Sequence, residues 1–132
     1  MIAVGTTQTL PASKILVVDD DASVREAVKA ILNKNYDIAT ASNALQAYRY
    51  LSENKVALVL LDIKMPEICG VEALKEIKNN HPETVVVMMT AYASDDTVKK
   101  AMSLGASGFI MKPFDVYELR NFVDGILSRI RK

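Results

Sequence analysis

Residues 57–62, ALVLLD, form an unbroken run of apolar side chains that ends on a carboxylate. A run of this length, rich in Val and Leu and flanked by helix-like segments, is typical of a strand buried in a parallel sheet. Three other apolar runs also end on reactive side chains: residues 15–18 before Asp19 and Asp20, 85–89 before Thr90, and 109–111 before Lys112. We therefore expect four strands of one sheet, each followed by a functional residue.

The strand-end residues are expected to meet, because all strands of an open parallel sheet point the same way and such sheets bind ligands at the carboxyl edge. Asp19, Asp20 and Asp62 would then repel one another and favour a hard divalent cation, with Mg²⁺ the first choice. Thr90 and Lys112 suit the oxygens of a phosphoryl group. The sequence predicts metal-assisted phosphoryl chemistry.

Composition narrows the class of protein. A chain of 132 residues is expected to form one domain with a single core. Its 16 basic and 16 acidic residues lack the positive balance of proteins that bind nucleic-acid backbones, so direct nucleic-acid binding is not expected. One cysteine, Cys69, excludes an internal disulfide and fits a reducing compartment. Without a signal peptide or a long apolar run, the prediction is a cytoplasmic protein that does not insert into membranes.

The chain divides into a short leader and one domain. Residues 1–13 carry no charge, which predicts a flexible leader or a cloning remnant. Over residues 14–132, strand-like and helix-like segments alternate five times without a linker. This pattern predicts a doubly wound α/β fold with a five-stranded parallel sheet and five flanking helices. The second strand, around residues 38–41, is only partly apolar and is expected at an edge.

Apolar spacing predicts the buried faces of two helices. The first helix is expected to bury Val24, Ala27, Val28 and Ile31, and the fifth to bury Val116, Leu119, Val123, Ile126, Leu127 and Ile130. Asn43 with Gln46 resembles a capping box at the start of the second helix, and Asp115 with Glu118 repeats it for the fifth. The remaining boundaries are expected at Gly70 and Ser94, where the third and fourth helices start, and at Gly105, where the fourth ends.

Four segments, taken in order, resemble the receiver domain of bacterial two-component response regulators. They are residues 15–20 (ILVVDD), 60–66 (LLDIKMP), 90–91 (TA) and 108–114 (GFIMKPF). One such motif is a weak signal, whereas four in order, each at a strand end, are highly specific. The resemblance covers about residues 14–132. It implies a flavodoxin-like sheet with strand order 2-1-3-4-5.

The resemblance also implies a chemistry. Asp62 looks like the phosphoacceptor, which receives a phosphoryl group from a histidine kinase or a phosphotransfer domain. Asp20 resembles a direct Mg²⁺ ligand, as does Asp62. Asp19 resembles a ligand that acts through water, and the backbone carbonyl of Lys64 a further ligand.

Three other positions match residues that handle the phosphoryl group in this family. Lys112 resembles the lysine that pairs with it, Thr90 the hydroxyl that hydrogen-bonds to it, and Ala91 a small residue whose backbone N–H can approach it. Phe109 resembles an aromatic that turns inward when Thr90 moves, which alters the face of the fourth helix, fifth strand and fifth helix. The covalent phosphate would thus shift a two-state population and control an output partner, which the sequence leaves unknown. Contacts with that partner are expected at exposed positions of the face such as Tyr117 and Asn121.

The chain departs from the family pattern at several positions. Cys69 stands where an Asp commonly precedes the glycine, which should change loop contacts and leave the metal site intact. Lys64 and Tyr92 lie two residues after Asp62 and Thr90, and we expect them to shield the aspartyl phosphate from water. The paired acids that precede the aromatic in many dimerising regulators are missing, so that mode of dimerisation is not predicted.

Each candidate residue has a structural alternative. Asp19, Asp20 and Asp21 could belong to an N-terminal helix cap, Asp62 to a turn, Lys112 to the surface, and Thr90 to a bond with its own backbone. Phe109 is expected in the core whether or not it also switches.

Three other functions compete with the receiver interpretation. A haloacid dehalogenase-type phosphatase would need an Asp two residues after the nucleophile, where this chain has Lys64. A flavin-binding module would need a phosphate-cradling loop after the first strand, where residues 19–21 are all Asp. A receiver with vestigial phosphorylation would not need the intact acid, Thr and Lys set. We therefore expect a switch that catalyses its own phosphorylation and dephosphorylation and is not a metabolic enzyme.

Overall fold

A computed structural model describes residues 13–91 and 96–130, where five strands alternate with five helices. The strands are β1 (Lys14–Val18), β2 (Asp37–Ala41), β3 (Leu58–Asp62), β4 (Val85–Thr90) and β5 (Gly108–Met111). The helices are α1 (Ala22–Leu32), α2 (Ala44–Glu53), α3 (Gly70–Asn80), α4 (Asp96–Ser103) and α5 (Val116–Ile130). No helix of these described ranges is long and apolar enough to cross a membrane. The leader predicted over residues 1–13 lies almost entirely outside the described residues.

The strands form one parallel sheet in the order β2-β1-β3-β4-β5, which confirms the predicted topology. The strand β2 lies at an edge, as expected. Because β1 and β3 are neighbours whose crossovers leave in opposite directions, a crevice opens between their carboxyl ends. The register pairs Val18 with Leu61 and Asp62 with Met89, so the residues that follow β1, β3 and β4 lie side by side.

The core has two layers, one on each face of the sheet. In β3, Leu58 and Leu60 pack with residues of α1 and α5, whereas Val59 and Leu61 pack with residues of α2, α3 and α4. All five residues of this strand are buried, which explains why its sequence is a continuous apolar run.

Helix ends follow the expected signals with one variation. Asp115 and Glu118 exchange both bonds of a capping box at α5. At α2, Asn43 accepts from the backbone N–H of Gln46, but the Gln46 side chain accepts from the N–H and hydroxyl of Ser42. The capping box of α2 is therefore only half formed.

The end of α4 is set by Gly105, as predicted. This glycine has a φ of 108°, and its N–H and that of Ala106 donate to the carbonyls of Met102 and Ala101. These two bonds define a Schellman motif, in which glycine is favoured because an L side chain is strained at positive φ. The start predicted near Ser94 lies outside the described residues, and the described part of α4 begins at Asp96.

Three residues predicted in the core are exposed. Ala27 lies beside the buried stripe of α1, which is formed by Val28 and Leu32, with Val24 and Ile31 partly buried. Val116 is the first residue of α5, and burial on that helix begins only three residues later at Leu119. Phe109 is 37% exposed, because it belongs to a four-residue edge strand that has a neighbour on one side only. The Ile130 side chain lies outside the described part of the molecule.

Candidate functional site

A pocket of about 270 Å³ opens at the carboxyl ends of β1, β3 and β4. It brings together all the residues predicted to bind metal or act in catalysis. Its lining consists of Asp19, Asp20, Asp21, Asp62, Lys64, Thr90, Ala91 and Lys112. Phe109, predicted as a switch, does not line it. The strand-end rule predicted five of these residues, namely Asp19, Asp20, Asp62, Thr90 and Lys112, and the family resemblance added Lys64 and Ala91.

Asp19 is fully buried, and each of its polar atoms has a partner. Its N–H donates to the carbonyl of Ala41 at 3.1 Å, and its own carbonyl accepts from Nη1 of Arg25 at 2.7 Å. Its Oδ1 accepts from the N–H of Asp21 at 2.9 Å and its Oδ2 from Lys112 at 2.7 Å. A carboxylate whose two oxygens each already accept a hydrogen bond has fewer lone pairs left for direct coordination than an open one, which suits it to act on a cation through water.

Asp20 differs from its neighbour. It is exposed, and none of the described residues donates a hydrogen bond to its side chain. Asp62, the last residue of β3, is buried and accepts from the Lys112 ammonium at 3.2 Å. The backbone N–H of Lys64 also bonds to the Asp62 carboxylate. Asp20 is thus the open carboxylate beside two constrained ones.

Burial and charge both disfavour ionisation of Asp62. Burial raises the pKa of Asp62 to about 6, and the negative charge of Asp19 adds to the rise, while Lys112 and the Lys64 N–H oppose it. Burial lowers the pKa of Lys112, but its hydrogen bond to Asp19 and the charges of both carboxylates outweigh burial, so that this pKa lies above its usual value. At neutral pH Lys112 is therefore charged and Asp62 is mostly ionised.

The donor set fits a hard divalent cation. One carboxylate oxygen from each of Asp19, Asp20 and Asp62 lies within 4.8 Å of the others. Lys112 supplies one positive charge against three negative ones, which leaves the cluster with unbalanced negative charge. Oxygen ligands with excess negative charge are those that Mg²⁺ and Ca²⁺ prefer.

Thr90 and Ala91 complete the far wall of the pocket. Thr90 ends β4 and is buried, and Ala91 is exposed. The carbonyl of Thr90 accepts from the backbone N–H of Lys112 at 2.7 Å, which ties the end of β4 to the segment that carries the lysine. The peptide bond between Lys112 and Pro113 is cis.

The loop after β3 packs tightly against the phosphoacceptor candidate. A β-carbon on Gly70 would meet the carbonyl oxygen of Asp62 at 2.2 Å and Cα of Ile63 at 2.6 Å, so only glycine fits. The N–H of Gly70 donates to the carbonyl of Ile63 at 2.8 Å. Cys69, the N-cap of α3, makes no side-chain capping bond. The departure at Cys69 therefore removes a helix cap and places no side chain in the acidic pocket.

Three residues of the site were not predicted as functional from the sequence. Asp21 lines the pocket and is the N-cap of α1. Gly70 was assigned only as a helix start, and its close approach to Asp62 depends on a contact that has no sequence pattern. Arg25 was not singled out. Its only signal is a cation near the start of α1, four residues after the last of three consecutive acids. Tyr92, predicted to shield the site, lies outside the described residues, and the side chain of Lys64 is exposed at the pocket rim.

Comparison with known proteins gives consistent matches. A family model for the response regulator receiver domain matches residues 15–124. The chemotaxis protein CheY of Bacillus subtilis is 39% identical over 123 residues, which cover 92% of this chain and 97% of that protein. The transcriptional regulatory protein ZraR of Klebsiella oxytoca is 42% identical over 118 residues, but the chain spans only 27% of its length. A CheY-like receiver domain from Methanospirillum hungatei JF-1 superposes with a TM-score of 0.87 at 29% identity, covering 91% of this chain and 97% of that one.

Proposed function

Since this chain belongs to the response regulator receiver domain family, we propose that it is a switch in which Asp62 accepts a phosphoryl group from a histidine kinase or a phosphotransfer domain. One observation carries the proposal. Asp62 lies at the end of the central strand β3, with two further carboxylates within 4.8 Å and the ammonium of Lys112 at 3.2 Å. A nucleophile, a cation site and a phosphoryl partner thus occupy one pocket.

The nucleophile is a carboxylate oxygen of Asp62. Because its pKa is about 6, most of the population is ionised at neutral pH, and burial leaves it poorly solvated. The oxygen attacks phosphorus, the bond between phosphorus and the imidazole nitrogen of the donor breaks, and the electron pair of that bond stays on the nitrogen. The product is an aspartyl phosphate.

The transferred group would be held by three donors of this chain. The Lys112 ammonium is partly buried and already bridges Asp19 and Asp62, so it can pair with a phosphoryl oxygen on Asp62. Thr90 and Ala91 line the same pocket, and the Thr90 hydroxyl and the backbone N–H of Ala91 would provide two uncharged donors. These donors stabilise the charge that spreads over the phosphoryl oxygens.

The residues that would hold Mg²⁺ are Asp20 and Asp62 directly, Asp19 through water, and Lys64 through its backbone carbonyl. The hydrogen bonds support a direct role for Asp20 and an indirect one for Asp19. No described residue donates to the Asp20 side chain, whereas each oxygen of the Asp19 carboxylate already accepts a hydrogen bond. When bound, the ion neutralises charge on the attacking and transferred groups and fixes the line of attack.

The proposed readout is a change in the face formed by α4, β5 and α5. Phe109, Met111 and Tyr117 on this face are exposed, so the surface presents apolar side chains to a partner. Movement of the Thr90 side chain toward the phosphate would leave space into which the Phe109 ring could turn. The output partner is a domain or protein that distinguishes the two states. Direct nucleic-acid binding by this domain is not part of the proposal, and neither is turnover of a metabolic substrate.

Intact-mass measurement after incubation with acetyl phosphate tests the proposal. The wild type is expected to gain one phosphoryl group with Mg²⁺ and none with a chelator. Asp62→Asn should gain none under either condition, whereas Glu26→Gln, which changes an exposed carboxylate on α1, should behave as the wild type.

A gain in Asp62→Asn equal to that of the wild type would contradict the assignment of the phosphoacceptor. Absence of any gain in the wild type would call for a Mg²⁺ titration. Cation binding would then point to a domain that accepts phosphate only from its kinase, and absence of binding to a vestigial site.

A further inference from the structure

Arg25, the fourth residue of α1, donates from Nη1 to the backbone carbonyl of Asp19 at 2.7 Å. The bond reaches back over the first turn of the helix, and the guanidinium is partly buried. The phosphoryl transfer proposed above involves no contact with this side chain.

The helix dipole does not favour a cation at this position. The first turn of a helix carries partial positive charge, which favours acidic side chains and disfavours basic ones. The first turn of α1 contains no acidic residue, and Arg25 follows directly. Local rules that are broken without a gain in helix stability occur most often at functional sites.

The carbonyl that Arg25 holds belongs to the peptide between Asp19 and Asp20. Because a peptide unit is planar, fixing this carbonyl also fixes the direction in which the chain enters Asp20. The other side of Asp19 is held by its N–H bond to the carbonyl of Ala41. The Asp20 side chain has no bond of its own to another described residue, so its placement in the pocket depends on this backbone.

We propose that Arg25 is a positioning residue for the cation site: it fixes the peptide between Asp19 and Asp20 and so directs the Asp20 carboxylate toward the divalent cation. The inference rests on the proposed function, since it takes Asp20 as a direct ligand. Outer partners that orient a metal ligand typically contribute about tenfold or more to metal affinity.

Positioning by Arg25 would strengthen Mg²⁺ binding, whereas its positive charge would weaken it. The positive charge of Arg25 alone repels a divalent cation, so its removal would tighten Mg²⁺ binding if charge were its only contribution. Loss of positioning weakens binding instead. The direction of the change in affinity therefore separates the two roles.

The test is calorimetric titration of the chelator-treated protein with Mg²⁺. Arg25→Met keeps the aliphatic stem and removes all donors, Arg25→Lys keeps a charged donor, and Lys29→Ala removes an exposed cation from the same helix. We expect Arg25→Met to weaken Mg²⁺ binding by about tenfold. Arg25→Lys should restore most of the affinity, and Lys29→Ala should leave it within about twofold of the wild type.

A second readout excludes a general structural effect. At saturating Mg²⁺, Arg25→Met should take up phosphate from acetyl phosphate at close to the wild-type rate, because the cation then holds Asp20 in place. Should Arg25→Met fail to fold, Arg25→Leu, which also lacks a hydrogen-bond donor, supplies the same comparison.

Two outcomes remain distinct. If the wild type binds Mg²⁺ but the donor-free variant binds it equally or more tightly, the inference is overturned and the proposed function stands. If the wild type binds no Mg²⁺ and Asp62 takes up no phosphate, the proposed function fails and the inference fails with it.

Discussion

Gly70 lies so close to Asp62 that a β-carbon on the glycine would overlap the carbonyl oxygen of the aspartate, at a distance of 2.2 Å. The overlap is with backbone, which cannot swing aside as a flexible side chain can. The first residue of α3 and the last residue of β3 are therefore packed directly against each other. The backbone here leaves no space for a side chain at position 70.

Gly70→Ala is expected to destabilise the protein by about 2–4 kcal/mol, because the backbone around Asp62 must move to accept the methyl group. Urea unfolding monitored by circular dichroism measures the change. The matched control is Gly125→Ala in α5, where a β-carbon meets nothing within 4 Å, so helix propensity should stabilise by about 0.5–1 kcal/mol. Equal effects of the two substitutions would contradict the packing argument.

Asp62→Asn should stabilise the cation-free protein at neutral pH. The pKa of Asp62 is about 6 in the folded protein and near 3.8 in the unfolded chain, so the unfolded chain binds fewer protons between these values. Stability of the wild type then falls as pH rises from about 4 to about 6, by up to about 3 kcal/mol.

Asp62→Asn lacks this fall, so its advantage should be present at pH 7.5 and absent at pH 3.5. Denaturant midpoints in a chelating buffer at the two pH values measure it, with Glu26→Gln as an exposed carboxylate control. A constant difference across this range would show that ionisation of Asp62 is not its source.

Cys69→Ser should stabilise α3. The N-cap of this helix makes no side-chain bond, and Glu72 already stands at the third helical position, where it completes a capping box with Ser. The gain is expected at about 0.5–1 kcal/mol relative to Cys69→Ala, which offers no acceptor. Thermal unfolding of the two variants measures the gain, and identical midpoints would show that the helix start is satisfied in another way.

Lys64→Ala is expected to shorten the lifetime of the aspartyl phosphate. The exposed Lys64 side chain lies at the rim of the pocket, where it can restrict the approach of water to the phosphorylated Asp62. Tyr92→Ala should act in the same direction. Decay of the phosphorylated protein, followed by intact mass after removal of the donor, measures the lifetime. Unchanged or slower decay in both variants would rule out shielding, and Lys99→Ala on α4 serves as a surface-lysine control.

Much of the fold could be predicted because burial leaves a direct pattern in the sequence. The central strand β3 is buried on both faces, so its five residues read as one apolar run, and its position next to β1 brings Asp62 beside Asp19. The meeting of Asp19, Asp20, Asp62, Thr90 and Lys112 follows from strand direction alone. The roles of these residues stay predictions.

The features that could not be predicted depend on contacts between particular residues, or on whether a neighbouring element covers an apolar side chain. Phe109 has the side chain of a core residue, but it is exposed because β5 lies at the edge of the sheet that the described residues form. Ala27 lies beside the buried stripe of α1 and Val116 lies before the buried residues of α5, so both have helical apolar spacing without being covered by the rest of the domain. Arg25 reaches the carbonyl of Asp19 by a side-chain to backbone bond, and such bonds have no periodicity to detect.

The bond between Lys112 and Asp19 joins residues 93 positions apart. Its two ends follow β1 and β5, the first and last strands of the described residues, and β3 and β4 lie between them in the sheet, so the bond forms only when these four strands have assembled. A chain arrested during synthesis before Lys112 would contain the nucleophile but not the ammonium that balances it. Under the proposed function, phosphoryl transfer that needs the Lys112 ammonium is therefore limited to chains in which these strands have already come together.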